Sequence, residues 1–480
     1  MEILSSASDG ITGQRLISRS LGGTELNWCR AVPGGTGITV FALLLSNAFP
    51  LPLLRSSLRR LQLSHPLLRA YLPSASAASS SCPSPPILIS PFPSDQIEII
   101  PSDLLPPLSA AIDEPPVSLL HSIVEHEMNR NPWAEPVDGQ AVGSFFSTIY
   151  ELPESGQSIL ALRFHTAVCD RASGFAIVKE LMDLLRRGEG GEDKEEEKEG
   201  EIILPVEDLI NTEDSWKPFW ARGKDLIGYS LNGLRSANLR FEDASSRRNS
   251  EFVRFVIDAE DTRRLLAVCQ AKGVKLCSAL TAAGLLATYA SKSLNSNQSE
   301  IYSFITLIDC RKDLNLPPNN KHIGFYHSAI SNTQTICSGE EFWEVAIRCH
   351  NAYANAKKNK KHLTDIGDLN FLMCKAMENP HLTPASSLRT ALISIFEETV
   401  NYDELFEQLH ELGIEDYMEC SSVHGIGASV AIFDSIRKGQ LDCACVYPSP
   451  LHSRKQILEF VENMKRILKE GCCGADGGFN

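Results

Sequence analysis

The sequence predicts an α/β fold, in the finer sense α+β, made of two lobes that each combine a mixed sheet with helices. Three observations lead there. The chain has 480 residues, more than one hydrophobic core holds, so two domains of about 150–250 residues are expected. Strand-period and helix-period segments are interleaved in both halves. One run, Gly188 to Glu201, is almost wholly Glu, Gly, Lys and Asp; it repels itself and buries nothing, which marks a linker. The expected division is an N-terminal lobe at 1–187, an acidic linker at 188–204 and a C-terminal lobe at 205–480.

The elements follow in order. Residues 1–24 read as a polar lead into a first strand. Glu25 to Ala31 reads as a strand or extended edge, and Pro33-Gly-Gly-Thr-Gly37 as a turn, because no Gly-Lys-Ser/Thr follows to make a phosphate loop. Ile38 to Leu45 reads as a short buried helix. Leu53 to Leu63 is an amphipathic helix, with Leu54, Leu58 and Leu61 on one face and Pro66 ending it. Residues 74–86 are almost all Ser, Pro and Ala and read as a disordered insertion. A short strand is expected at Gln96–Ile100 and a helix at Pro116–Met128. Two strands, Val142–Leu152 and Ser158–Phe164, flank a hairpin turn, and Ala172 to Arg187 is a helix.

In the second half Trp216 to Leu234 reads as a helix and Phe252 to Ile257 as a strand. Asp261–Lys272 and Leu276–Lys292 are helices parted by Gly273. Strands are expected at Ile301–Cys310 and Phe325–Thr333, and a long helix at Glu340–Lys357. Three strands, near Tyr417–Ser422, Gly427–Phe433 and Leu441–Tyr447, precede a closing amphipathic helix capped by Ser453.

Composition narrows the function. The chain is 43% hydrophobic and 22% charged, ordinary for a globular protein. A net charge of −15 argues against a nucleic-acid partner, since phosphate binding needs a basic surface. The 14 cysteines are scattered without zinc-ligand spacing or a Cys-x-x-Cys, so free buried thiols in a reducing compartment are expected and no metal. The N-terminus lacks the pattern of a secretory signal. Gly37 to Leu54 is too broken by Ser46, Asn47, Pro50 and Pro52 to span a membrane. The expectation is a cytoplasmic monomer with no membrane span.

The chemistry centres on Ser158-Ile-Leu-Ala-Leu-Arg-Phe-His165-Thr-Ala-Val-Cys-Asp170. An apolar strand ends at a histidine and an amphipathic helix begins after an aspartate. An imidazole at such a boundary, with its ordinary pKa of about 6.5, can take a proton from an attacking alcohol or amine. His327, after Gly324-Phe-Tyr, could face a cleft, although a surface or core histidine is the plainer reading. His121 and His126 are five apart on one helix, not the four a zinc helix needs. Cys169 beside Asp170 is a poor thiolate.

This segment resembles the active-site segment of the His-x-x-x-Asp acyltransferase superfamily, which includes condensation domains, alcohol acetyltransferases and BAHD acyltransferases. Other segments agree in order. His65-Pro-Leu-Leu-Arg69 resembles the run after the family's first helix. Ile305-Thr-Leu-Ile-Asp309-Cys-Arg311, followed by Pro317-Pro318 and Gly324, resembles its second-lobe strand. Gly439-Gln-Leu-Asp442 to Tyr447-Pro resembles its closing strand. The resemblance implies two chloramphenicol-acetyltransferase-like lobes with a tunnel between them. It implies acyl-CoA or another thioester as co-substrate, no bound cofactor, and a small-molecule acceptor. His165 would be the general base, and Asp170 would pair structurally with Arg311. Thr166, Ser421, Ser422 and His424 are candidates to line the tunnel, a plain glycine-rich hairpin being the other reading of Ser421 to Gly427.

Three departures stand out. The family histidine sits four residues before the aspartate, where this chain has Thr166; His165 is five before. The family glycine after the aspartate is Arg171. The Asp-Phe-Gly-Trp-Gly motif of BAHD enzymes is absent. The function expected is acyl transfer from a thioester to a hydroxyl or amine. The alternative is a weak or inactive relative that binds a small molecule or protein between the lobes.

Overall fold

The computed structural model describes residues 17–73, 85–101, 104, 117–135, 141–152, 155–188, 200–292, 294–295, 297–317, 322–403 and 409–473. Residues 74–84 of the expected insertion and 189–199 of the acidic run lie outside them.

The first half supplies β1 (Ile17–Ser20), β2 (Thr36–Leu45), β3 (Ala70–Leu72), β4 (Pro86–Ile89), β5 (Glu98–Ile100), β6 (Val142–Gly143), β7 (Phe145–Leu152) and β8 (Gln157–His165). Its helices are α1 (Gly23–Ala31), α2 (Leu51–Ser64), α3 (Leu119–Asn129) and α4 (Arg171–Arg187). The second half supplies β9 (Asn249–Ile257), β10 (Ser299–Asp309), β11 (His327–Cys337), β12 (Arg389–Phe396), β13 (Val400–Asn401), β14 (Ile414–Val423), β15 (Gly427–Arg437) and β16 (Gln440–Ser449). Its longer helices are α5 (Phe219–Arg235), α6 (Ala259–Lys272), α7 (Leu276–Ala290), α8 (Phe342–Lys358), α9 (Ile366–Glu378) and α10 (Arg454–Cys473).

Two of the expected elements are corrected. Ile38–Leu45 belongs to strand β2, not a helix. Nearly every residue of β2 is buried, so the run shows no alternation. Its β-branched and aromatic start, Ile38-Thr-Val-Phe41, favours the extended form. Glu25–Ala31 belongs to helix α1, not a strand: the Glu25 carboxylate accepts the Gly22 amide at 3.0 Å and closes the first turn.

The first lobe holds a five-stranded sheet in the order β14-β2-β8-β7-β5, flanked by a small sheet β1-β4-β3-β6. The second lobe holds a sheet in the order β11-β10-β12-β15-β16-β9, with β13 also on β15. In it β12 runs parallel to both neighbours, while the outer pairs are antiparallel. Helix α7 lies behind this sheet and buries twelve of its fifteen residues. Strand β14 comes from the second half of the chain yet pairs antiparallel with β2 at the edge of the first sheet.

This crossing strand leaves a shared core between the lobes. Ile38, Val40, Ile159 and Ala161 of the first sheet pack in one cluster with Phe252, Phe433 and Val446 of the second. The opposite face of the first sheet, with Leu160, Leu162 and Phe164, packs on Leu58 of α2 and Leu181 of α4. Helix α5 differs from the others in burying no residue. On it and just before it, Trp216 and Trp220 are each 73% exposed and Phe219 is 91% exposed.

Among the described residues no single helix is long and apolar enough to cross a membrane. The cysteines described are free thiols, with only Cys337 exposed and Cys374 half-buried.

Candidate functional site

Strand β8 carries His165 to its last position, opposite Ile38 of β2. The chain then makes one short 3-10 turn, Thr166–Val168, and enters α4. Asp170 starts that helix because its carboxylate accepts the Ser173 amide at 2.8 Å, the N-cap arrangement that satisfies an otherwise orphaned donor.

Asp170 is also where the lobes are joined. Its Oδ1 accepts from Arg311 Nη2 at 2.9 Å. Its Oδ2 accepts the Tyr326 amide at 2.8 Å and a proton from His327 Nδ1 at 2.9 Å. Arg311 also donates to Ser173 Oγ at 2.7 Å and to Asp309 at 2.9 Å, and its guanidinium lies 4.9 Å from the centre of the Tyr326 ring. Ser173 Oγ and Gly324 close the arrangement with two further bonds, of 2.8 and 3.0 Å. Burial opposes the charge on Asp170, but Arg311 and then His327 outweigh it and hold the carboxyl well below the usual range. Asp170 is therefore a buried anion with four donors around it.

His165 has a different environment. It is 1% exposed and meets the Trp133 ring edge-on, with centroids 5.1 Å apart. Its Nδ1 accepts the Ala167 amide at 3.1 Å. An imidazole that accepts at Nδ1 carries its proton on Nε2, so this ring presents a donor and not a lone pair to its surroundings. Burial pushes its pKa down to about 3.

Thr166, at the position the resemblance reserves for a histidine, donates to the Gly37 carbonyl at 2.6 Å and lies 2.9 Å from Thr39 Oγ1. Gly37 has φ +95°, and a Cβ there would press on Trp28 and on Thr166 Oγ1 at about 3 Å, so the turn before β2 and the Thr166 turn fit together only with glycine. Thr39 Oγ1 also lies 3.3 Å from Ser421 Oγ. Ser422 Oγ accepts the Ile38 amide at 2.9 Å. His424 packs on Gly35 and shares a hydrogen bond with Ser250 Oγ at 2.9 Å; burial and the cations Arg389, Arg247 and Arg248 lower its pKa to about 4. The structure thus gathers Thr166, Ser421 and Ser422 around Gly37, Ile38 and Thr39 near the start of β2. His424 sits at the turn leading into it.

Arg171 fills the place of the family glycine. Its guanidinium is buried, bonds Glu419 at 3.1 Å and the Asp434 carbonyl at 2.7 Å, and stacks 4.6 Å from the Phe396 ring. Burial raises the pKa of both Glu419 and Asp434, outweighing the Arg171 guanidinium, which lowers each. Cys169 is fully buried, and burial followed by the charge of Asp170 pushes its thiol up.

The residue that sequence reasoning set aside is His327. It is neither a surface nor an apolar-core histidine but a partner of Asp170, flanked by Phe396 at 5.5 Å and Phe325 at 6.3 Å between ring centroids. The available signal was its place directly after Gly324-Phe-Tyr, the segment already aligned with the second-lobe strand. A cavity of about 720 Å³ lies elsewhere, between α2, β5 and β7, lined by residues such as Arg55, Gln62, Tyr71, Phe92, Glu98 and Phe146.

No family model and no curated protein matches this sequence. Solved structures do. A trichothecene 15-O-acetyltransferase from Fusarium sporotrichioides superposes with a TM-score of 0.70 at 13% identity, over 96% of each chain. Polyketide synthase associated protein 5 from Mycobacterium tuberculosis gives 0.60 at 14% identity, over 96% of this chain and 99% of that one. A nonribosomal peptide synthetase cyclization-docking bidomain from Sorangium cellulosum gives 0.64 at 13% identity, over 95% and 85%. The chain shares the fold of these structures, two chloramphenicol-acetyltransferase-like lobes, mixed α/β as the sequence predicts.

Proposed function

We propose that this chain transfers an acyl group from a thioester, acyl-CoA being the donor expected, to a hydroxyl or amine of a small molecule. The observation that carries this reading is the Asp170–Arg311 contact across the lobes. It lies at the strand–helix corner where the resemblance calls for it, on a fold shared along nearly the whole chain with an acetyltransferase. In such a reaction a base takes the acceptor proton as the acceptor attacks the thioester carbonyl. A tetrahedral intermediate forms, and the C–S bond breaks to release the thiol.

A second reading is favoured by one observation. His165 is buried and its Nδ1 already holds the Ala167 amide, so it takes up a proton only after losing that contact. A chain with no other base would bind its ligand without turning it over. The test is to incubate the protein with a panel of acyl-CoAs and alcohols or amines and follow free thiol. Thiol release that depends on both substrates supports acyl transfer. Saturable acyl-CoA binding without release supports the binding reading.

A further inference from the structure

Resting on the acyl-transfer reading, we propose that His327, oriented by Asp170, is the general base, in place of the histidine that the sequence lacks at position 166.

The argument starts from tautomers. Asp170 is ionised and can only accept, so the 2.9 Å contact with His327 requires a proton on Nδ1. In the neutral ring the lone pair is then on Nε2. No described residue bonds that nitrogen, nor is it among the buried polar atoms left without a partner, so it borders open space. His165 has the reverse arrangement, with Nδ1 occupied and the proton on Nε2. Of these two histidines at the corner, His327 alone offers a basic nitrogen with a carboxylate behind it. That is the pairing by which an acid residue fixes a catalytic imidazole and stabilises the imidazolium.

The surroundings agree. Phe396 and Phe325 flank the ring, and Phe325 packs on Trp28 at 5.3 Å, whose indole abuts Gly37 beside Thr166. His327 begins β11, a second-lobe strand, while Thr166 and Asp170 belong to the first lobe. The base would therefore reach the same corner from the opposite lobe. Asp170 divides its charge, Oδ1 toward Arg311 and Oδ2 toward His327, so Arg311 holds the carboxylate while His327 uses it. In the step proposed, Nε2 takes the proton of the acceptor O–H or N–H as the new C–O or C–N bond forms. The imidazolium then returns that proton to the departing thiolate, and the ring is neutral again.

The test uses His327→Asn, whose amide N–H can still donate to Asp170 but which has no basic nitrogen. With wild type active on the substrate panel, kcat should fall by about 100-fold or more while KM changes by less than about threefold. A wild-type activity retained within threefold in His327→Asn, or lost in His165→Gln but not in His327→Asn, overturns the proposal and leaves acyl transfer standing. Absence of turnover in wild type overturns both. A measurement independent of turnover is long-range 1H–15N NMR of protein labelled with 15N-histidine. His327 should show a protonated Nδ1 and His165 a protonated Nε2. A protonated Nε2 with bare Nδ1 on His327 overturns the proposal whatever the activity.

Discussion

His327 Nδ1 lies 2.9 Å from Asp170 Oδ2, although 157 residues separate them in the chain. The same carboxylate holds Arg311 on its other oxygen. Asp170 thus both closes the lobes on each other and orients an imidazole, and the two roles can be separated by measurement.

Removing Arg311 tests the first role. Arg311→Ala leaves Asp170 buried with its strongest counter-charge gone. We expect a loss of about 3–5 kcal/mol in urea unfolding, as for other broken buried pairs. Asp170→Asn should also destabilise, in a pH-dependent way. The folded-state pKa of Asp170 is depressed, so its contribution is fully present above the usual carboxylate range and is lost as pH falls toward the folded pKa. The gap between wild type and Asp170→Asn should be constant from about pH 8 to about pH 5 and narrow below about pH 4.

His165 acts in the same direction in a higher pH window. Its folded pKa of about 3 lies below the unfolded value of about 6.5. The unfolded chain therefore takes the proton first, and stability falls as pH drops through this window. His165→Asn keeps an acceptor for the Ala167 amide and cannot be protonated. Its urea midpoint should depend less on pH between about 6.5 and 4 than that of wild type. An unchanged slope would place the titration elsewhere.

Arg171 is expected to be structural. Arg171→Met strands two buried carboxyl groups, Glu419 and Asp434, and should lower stability by about 3–5 kcal/mol. Adding Glu419→Gln and Asp434→Asn should recover much of the loss. If the triple variant is no more stable than the single one, packing of the guanidinium on Phe396 is the larger part.

The exposed face of α5 should be thermodynamically silent. Trp220→Ser and Ile227→Ser remove side chains that are 73% and 63% exposed. Each should shift unfolding by no more than about 0.5 kcal/mol. A larger loss in dilute protein would mean that this face is covered in solution.

Much of the architecture was legible in the sequence, because most elements carry their own period or punctuation. Helix α2 shows its leucine stripe, Gly273 separates α6 from α7, and the β8–α4 corner is marked by an apolar run, a turn and an Asp cap. What failed was local. Strand β2 is buried on both faces, so its residues do not alternate, and α1 is fixed by a Glu25 back-bond that composition does not reveal. The Asp170–Arg311 contact could be anticipated through motif order. The His327 contact could not. It depends on how two segments from different lobes meet, and nothing in the spacing of a single histidine records that.

The exchanged strand β14 has a consequence for how the molecule can be divided. A fragment ending near residue 187 would expose the whole β2 edge as an unsatisfied backbone ladder, and a fragment beginning near 205 would carry β14 with nothing to pair it. Neither half should be soluble when produced alone. Produced together they should reassemble by strand complementation, as a split protein whose halves are held by the ladder between β2 and β14 and by the salt link at Asp170. Opening and closing of the site by swinging the lobes apart is then restricted. Substrates would have to enter around a joint that is already stitched.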